Sequence, residues 1–163
     1  MFIGHLPAGY LLAKLLEPQG PMRIKRSKLW WAAALGGSVF PDLDVLYFYS
    51  VDNARTLHHH YFTHLPAFWL CVSLLGVWSS TTRIFLVAVF SHLVLDTIAG
   101  GVLWLWPLSY SNVVFVDVPA THSWWVWNFV FHWTFLLELA LWVAAAYLWQ
   151  ANVNRPLSPS GSR

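Results

Sequence analysis

A histidine and an aspartate stand four residues apart in Ser91-His92-Leu93-Val94-Leu95-Asp96, inside an apolar stretch of the chain. On a helix that spacing puts both side chains on one face, where they can reach one metal ion or form a buried hydrogen-bonded pair. Pro41-Asp42-Leu43-Asp44 adds two carboxylates. An i, i+2 pair diverges by about 200° on a helix but points one way in an extended stretch, and Pro41 with Gly36-Gly37 favours a local break. The run His58-His59-His60-Tyr61-Phe62-Thr63-His64 brings four imidazoles to the start of another apolar segment. If it is helical, His60 and His64 share a face; if the backbone turns, His59 and His64 converge. His5 lies in the first apolar segment. Together these residues supply the His/Asp mixture that zinc and manganese favour.

The elements that must position them belong to a membrane. Of 163 residues, 58% are hydrophobic and 10% charged, with twelve tryptophans, whereas soluble domains run nearer a quarter charged. Mean hydropathy is +0.53. A helical span needs roughly 20 apolar residues, and helices satisfy their own backbone in lipid. The expected fold is therefore all-α, a polytopic bundle of about four to five transmembrane segments in one domain over residues 1–150. The segments are 2–16, which is marginal as a span, Leu29 to Val39, Pro66 to Trp78, Ile84 to Leu105, and Trp124 to Trp149. Glu17-Pro18-Gln19-Gly20-Pro21 ends the first, and residues 151–163 are expected to be a disordered tail.

Charge sets the orientation. With residues 17–28 inside, Lys14, Arg23, Lys25, Arg26, Lys28, Arg83, Arg155 and Arg163 fall on the cytoplasmic side and only Arg55 falls outside. The C-terminus is then cytoplasmic, and His5, Asp44, His59, His60, His64 and His122 lie toward the outer face, with His92 and Asp96 between mid-span and that face. Four basic residues beside a span mark a cytoplasmic loop, so no nucleic-acid partner is expected. Cys71 is the sole cysteine, which excludes an intrachain disulfide and a CxxC site. The tryptophans at 104, 106, 124, 125 and 127 read as an interface belt. His132 and Asn128, one turn apart, are candidates to support the ligands from a second layer, and Glu138 is expected to pair with another helix.

The order of these motifs resembles the YdjM-like family of predicted membrane-bound, metal-dependent hydrolases. The resemblance rests on His5, Pro41-Asp42-Leu43-Asp44, His59 to His64, and His92 to Asp96, and covers roughly the first hundred residues. The position after His59, usually arginine in that family, is His60 here, which leaves open whether His59 or His60 is the ligand. The His-x-x-x-Asp helix is more distantly similar to that of zinc-dependent phospholipase C, which implies phosphoesters as substrates.

The expected site has His5, Asp42, Asp44, His59, His64, His92 and Asp96 as metal ligands for one or two divalent ions, zinc first and manganese second. The expected reaction is hydrolysis: metal-activated water attacks a phosphoester or lipid-like substrate at the outer side of a cell membrane. Asp42 or Asp44, whichever is not fully used as a ligand, is the candidate proton acceptor. Two rival readings use the same residues. One is a metal-ion or proton transporter, which would need polar groups leading to both faces, yet the inner halves of the spans are apolar. The other is a haem-holding protein ligated through His92 and His132, which leaves the aspartates unexplained.

Overall fold

The computed structural model describes residues 3–17, 26–53, 58–76 and 79–154. Arg23, Lys25, Arg55, Arg155 and Arg163 lie outside these residues, as do the Pro18 to Pro21 terminator and the tail from residue 155 onward.

The described chain is all-helical. Its α-helices are α1 (His5–Leu16), α2 (Lys28–Val39), α3 (Asp44–Ser50), α4 (Pro66–Gly76), α5 (Ser80–Ala99), α6 (Trp125–Val130) and α7 (Thr134–Val153). Short 3-10 turns occupy Pro41–Leu43, His58–His60 and Phe62–His64. Among the described residues the only β pairing is an isolated bridge between Val102 and Val113.

Local chemistry sets the boundaries. Ser27 Oγ accepts from the backbone N–H of Trp30 at 3.1 Å and Ser79 Oγ from that of Thr82 at 3.0 Å, so a serine caps the start of both α2 and α5. The fourth apolar run was expected to reach Leu105, but α5 stops at Ala99. Gly101 takes φ +79, and the N–H groups of Gly100 and Gly101 both turn back to the Asp96 carbonyl, at 2.7 and 3.1 Å. The last apolar run is divided in two, α6 and α7, with the break at residues 131–133. There the His132 ring takes up the start of the next helix, its Nδ1 lying 2.9 Å from Thr134 Oγ1 and accepting from the Thr134 N–H. Beyond the break α7 runs to Val153, past Gln150, where the apolar run ends.

Two described helices, α5 and α7, are long and apolar enough to cross a membrane, at 20 residues each. Their length of about 30 Å matches a hydrocarbon core. Helices α1 and α2 have 12 residues each, about 18 Å, and α4 is also short.

Helices α1, α2 and α5 form the core of the bundle, and glycines let them approach closely. A Cβ on Gly9 would stand 2.3 Å from Ser38 Oγ, and one on Gly37 would stand 2.4 Å from the Phe85 carbonyl oxygen. Where lipid is as apolar as the helices, close backbone contact of this kind holds them together. Ala13, Trp30, Ala34 and Ile84 fill one end of the packing. Trp69, Leu86, Val89 and Leu93 fill the space between α4 and α5. Helix α1 runs opposite to α2 and α5, so Lys14, Lys28 and Arg83 lie at the helix ends away from His5, Ser38 and Asp96.

Candidate metal centre

His5 opens α1, Ser38 lies near the end of α2, and His92 and Asp96 occupy the second half of α5. The packing of the three helices therefore delivers them to one end of the bundle. The 3-10 turns add Asp42, His59 and His64 over the same end.

Asp96 is the hub. Its Oδ1 lies 3.1 Å from His5 Nε2. Its Oδ2 lies 2.9 Å from His92 Nε2, 3.5 Å from His64 Nε2 and 3.7 Å from His59 Nε2. Asp42 Oδ1 stands 3.6 Å from both His64 Nε2 and His92 Nε2, and those two nitrogens are 3.3 Å apart. His5, His64, His92 and Asp96 are all but sealed from solvent, whereas the Asp42 side chain is 33% exposed and forms the open edge of the cluster.

The opposite nitrogen of three histidines is tied down. His64 Nδ1 donates to Asp44 Oδ2 at 2.7 Å, His92 Nδ1 to the Ser38 carbonyl at 2.8 Å, and His59 Nδ1 to the Gly100 carbonyl at 2.9 Å. A carbonyl can only accept, so it fixes the proton of His92 and His59 on Nδ1 and turns each Nε2 toward the carboxylates. This is the outer support that metal-binding histidines use. Ligands about 2.1 Å from a tetrahedral ion stand about 3.4 Å apart, and the separations found here, 2.9 to 3.7 Å, bracket that value. Two sets of donors, His5 with Asp42, His92 and Asp96, and His59 with His64 and Asp96, are each close enough to hold a metal ion.

Burial opposes a charge on His64, but the carboxylates of Asp42, Asp44 and Asp96 outweigh it and push its pKa up to about 10. A proton on His64 and a cation at the centre therefore compete for the same place.

Asp44 stands outside the converging atoms, although it was expected among the ligands. The stretch after Pro41 is a 3-10 turn leading into a helix rather than an extended strand, so Asp42 and Asp44 point apart. Asp42 faces the centre, while Asp44 is buried behind His64 and also accepts from Thr63 Oγ1. The adjacent histidines point different ways: His59 faces Asp96, and His60 Nε2 lies 3.3 Å from Asn112 Oδ1 at the surface. Asn128 and His132 do not support the ligands, because Asn128 bonds His122 and His132 bonds Thr134. His92 faces His64 rather than His132, contrary to the haem reading.

Two contributors, Ser38 and Gly100, were not foreseen. Ser38 acts through its backbone carbonyl, which no sequence motif reveals. Gly100 lets His59 in, since a Cβ there would come within 2.3 Å of His59 Cε1, and its place just after Asp96 is the one available signal. Glu138, expected to pair with another helix, reaches from α7 to the N–H groups of Ile3 and Gly4, the latter at 2.9 Å, and so caps the helix that carries His5.

The model of the YdjM inner membrane protein family matches residues 1–157, nearly the whole chain. The chain belongs to the YdjM inner membrane protein family. Membership agrees with the resemblance carried by His5, Asp42, His59 to His64, and His92 with Asp96, and with two membrane-length helices. It extends the YdjM match beyond the first hundred residues to include α6 and α7. No curated protein and no solved structure matches the chain.

Proposed function

We propose that this YdjM-family protein is a membrane-embedded metal-dependent hydrolase acting on a phosphoester or lipid-like substrate at the outer side of the membrane. The observation that carries the reading is the shared direction of the histidines. His59, His64 and His92 each commit Nδ1 to a fixed acceptor and turn Nε2 toward Asp96. With their protons held on Nδ1, His59 and His92 present bare nitrogen lone pairs to a carboxylate, an arrangement that a cation between them stabilises.

Zinc is the ion favoured by this nitrogen and carboxylate set, with manganese the second choice. A divalent cation held there would supply Lewis acidity and lower the pKa of a water bound to it. His5, Asp42, His59, His64, His92 and Asp96 are the donors that would hold metal there, and the buried packing of Val89 and Leu93 keeps bulk water from the inner side. Asp42, the partly exposed carboxylate, is placed to take a proton and to meet substrate entering from the open edge. Asp44 orients His64 instead of accepting the proton.

An apolar groove apart from the centre lies between α1, α2 and α7. It has a volume of about 260 Å³ and is lined by residues including Leu6, Tyr10, Leu35, Trp142 and Trp149. In this reading the chain crosses the membrane four to five times. The breaks at Pro41 and at residues 131–133 interrupt otherwise sufficient lengths, and the C-terminus is cytoplasmic, on the side of Lys14, Lys28 and Arg83. The test is zinc-loaded protein in liposomes offered phospholipids and soluble phosphomonoesters, with His92→Ala as the control. Product that depends on His92 supports a hydrolase. Zinc or proton flux that depends on His92, without product, would instead support a transporter.

A further inference from the structure

We propose that the centre takes two divalent ions, with Asp96 as the carboxylate shared between them; this rests on the metal-centre reading above. The six converging side chains exceed the four positions of a tetrahedral ion. They divide into the two sets already described, His5, Asp42 and His92 on one side and His59 and His64 on the other, and each set has mutually close donors. Only Asp96 belongs to both.

The two oxygens of Asp96 serve different partners. Oδ1 faces His5, and Oδ2 faces His59 and His64 as well as His92. Both oxygens are engaged and Oδ2 lies between the two sets, a position from which a carboxylate can be shared by ions about 3.5–4 Å apart, the separation at which paired ions clamp both the attacking and the leaving oxygen of a phosphoester. His5 and His92 are stacked with ring centroids 3.8 Å apart, so their nitrogens enter from one side, while His59 and His64 enter together from the 3-10 turns with centroids 4.9 Å apart. The 3.3 Å gap between His64 and His92 nitrogens is then the seam between the two half-sites. In a one-ion centre, His64, His92, Asp42 and Asp96 would complete a tetrahedron and His5 and His59 would be dispensable.

The experiment is a metal count on the full chain, purified in detergent, stripped with chelator and reloaded with zinc, alongside His5→Ala and His59→Ala. A parallel manganese-loaded sample is read by electron paramagnetic resonance. The proposal predicts two ions per chain in the wild type, one in each variant, and a magnetically coupled manganese pair that becomes an isolated ion in either variant. One ion per chain with an uncoupled spectrum would overturn the two-ion centre and leave the metal reading intact. No ion at all would overturn both. The wild-type count and spectrum decide the question even if a variant fails to insert.

Discussion

The Nε2 atoms of His64 and His92 face one another across 3.3 Å, and each ring is anchored from behind, by Asp44 and by the Ser38 carbonyl respectively. Two imidazoles fixed in this way can hold a proton between them or turn both nitrogens to bound metal. Much of the behaviour of the site follows from which of the two is present.

Because Asp44 touches His64 Nδ1 and none of the converging donors, Asp44→Asn should weaken metal binding by about 10- to 100-fold without abolishing it. Asp42→Asn, which removes a facing carboxylate, should cost more. Zinc titration of the two stripped variants ranks them, and equal losses would contradict the assignment of Asp44 to the rear of His64.

Acidity acts through the same ring. With its pKa raised from 6.5 to about 10, protonated His64 stabilises the metal-free protein fully below about pH 6.5, and that contribution is lost as pH rises through about 10. Metal must displace the proton, so affinity should rise with pH over this window while the melting temperature of chelator-treated protein falls. Calorimetric titration in buffers of different ionisation enthalpy will detect the released proton.

The His92-Asp96 pairing was legible because a four-residue spacing has one meaning on a helix, and α5 is a helix. Asp44 was misplaced because its direction depends on whether Pro41 opens a 3-10 turn or an extended stretch, and the residue types permit both. Ser38 and Gly100 were illegible because they act through a carbonyl and through an absent side chain, neither of which leaves a chemical signature. The lengths of α5 and α7 were also blurred at their ends: Gly100-Gly101 and His132 stop helices inside stretches whose hydropathy continues.

Gly100→Ala should therefore disturb the site while leaving the bundle folded. The added methyl would meet the His59 ring, displacing it from Asp96, and zinc affinity should drop about tenfold or more with little change in helicity. Circular dichroism and zinc titration on the same sample separate the two effects.

Glu138→Ala tests the cap on α1. Losing a buried acceptor for the Ile3 and Gly4 N–H groups should cost about 1–3 kcal/mol of stability. It should also loosen His5, lowering metal affinity although no ligand is removed. Glu138→Gln, which keeps one acceptor oxygen, should fall between the two. Thermal melting in detergent, with and without zinc, measures both terms.

The most direct test is elemental analysis of detergent-purified wild-type protein against His92→Ala, counting zinc, manganese and iron per chain. A metal centre predicts at least one divalent ion per wild-type chain and almost none in a variant that still inserts. Equal, negligible metal in both would contradict it and leave the histidines and aspartates as a polar core.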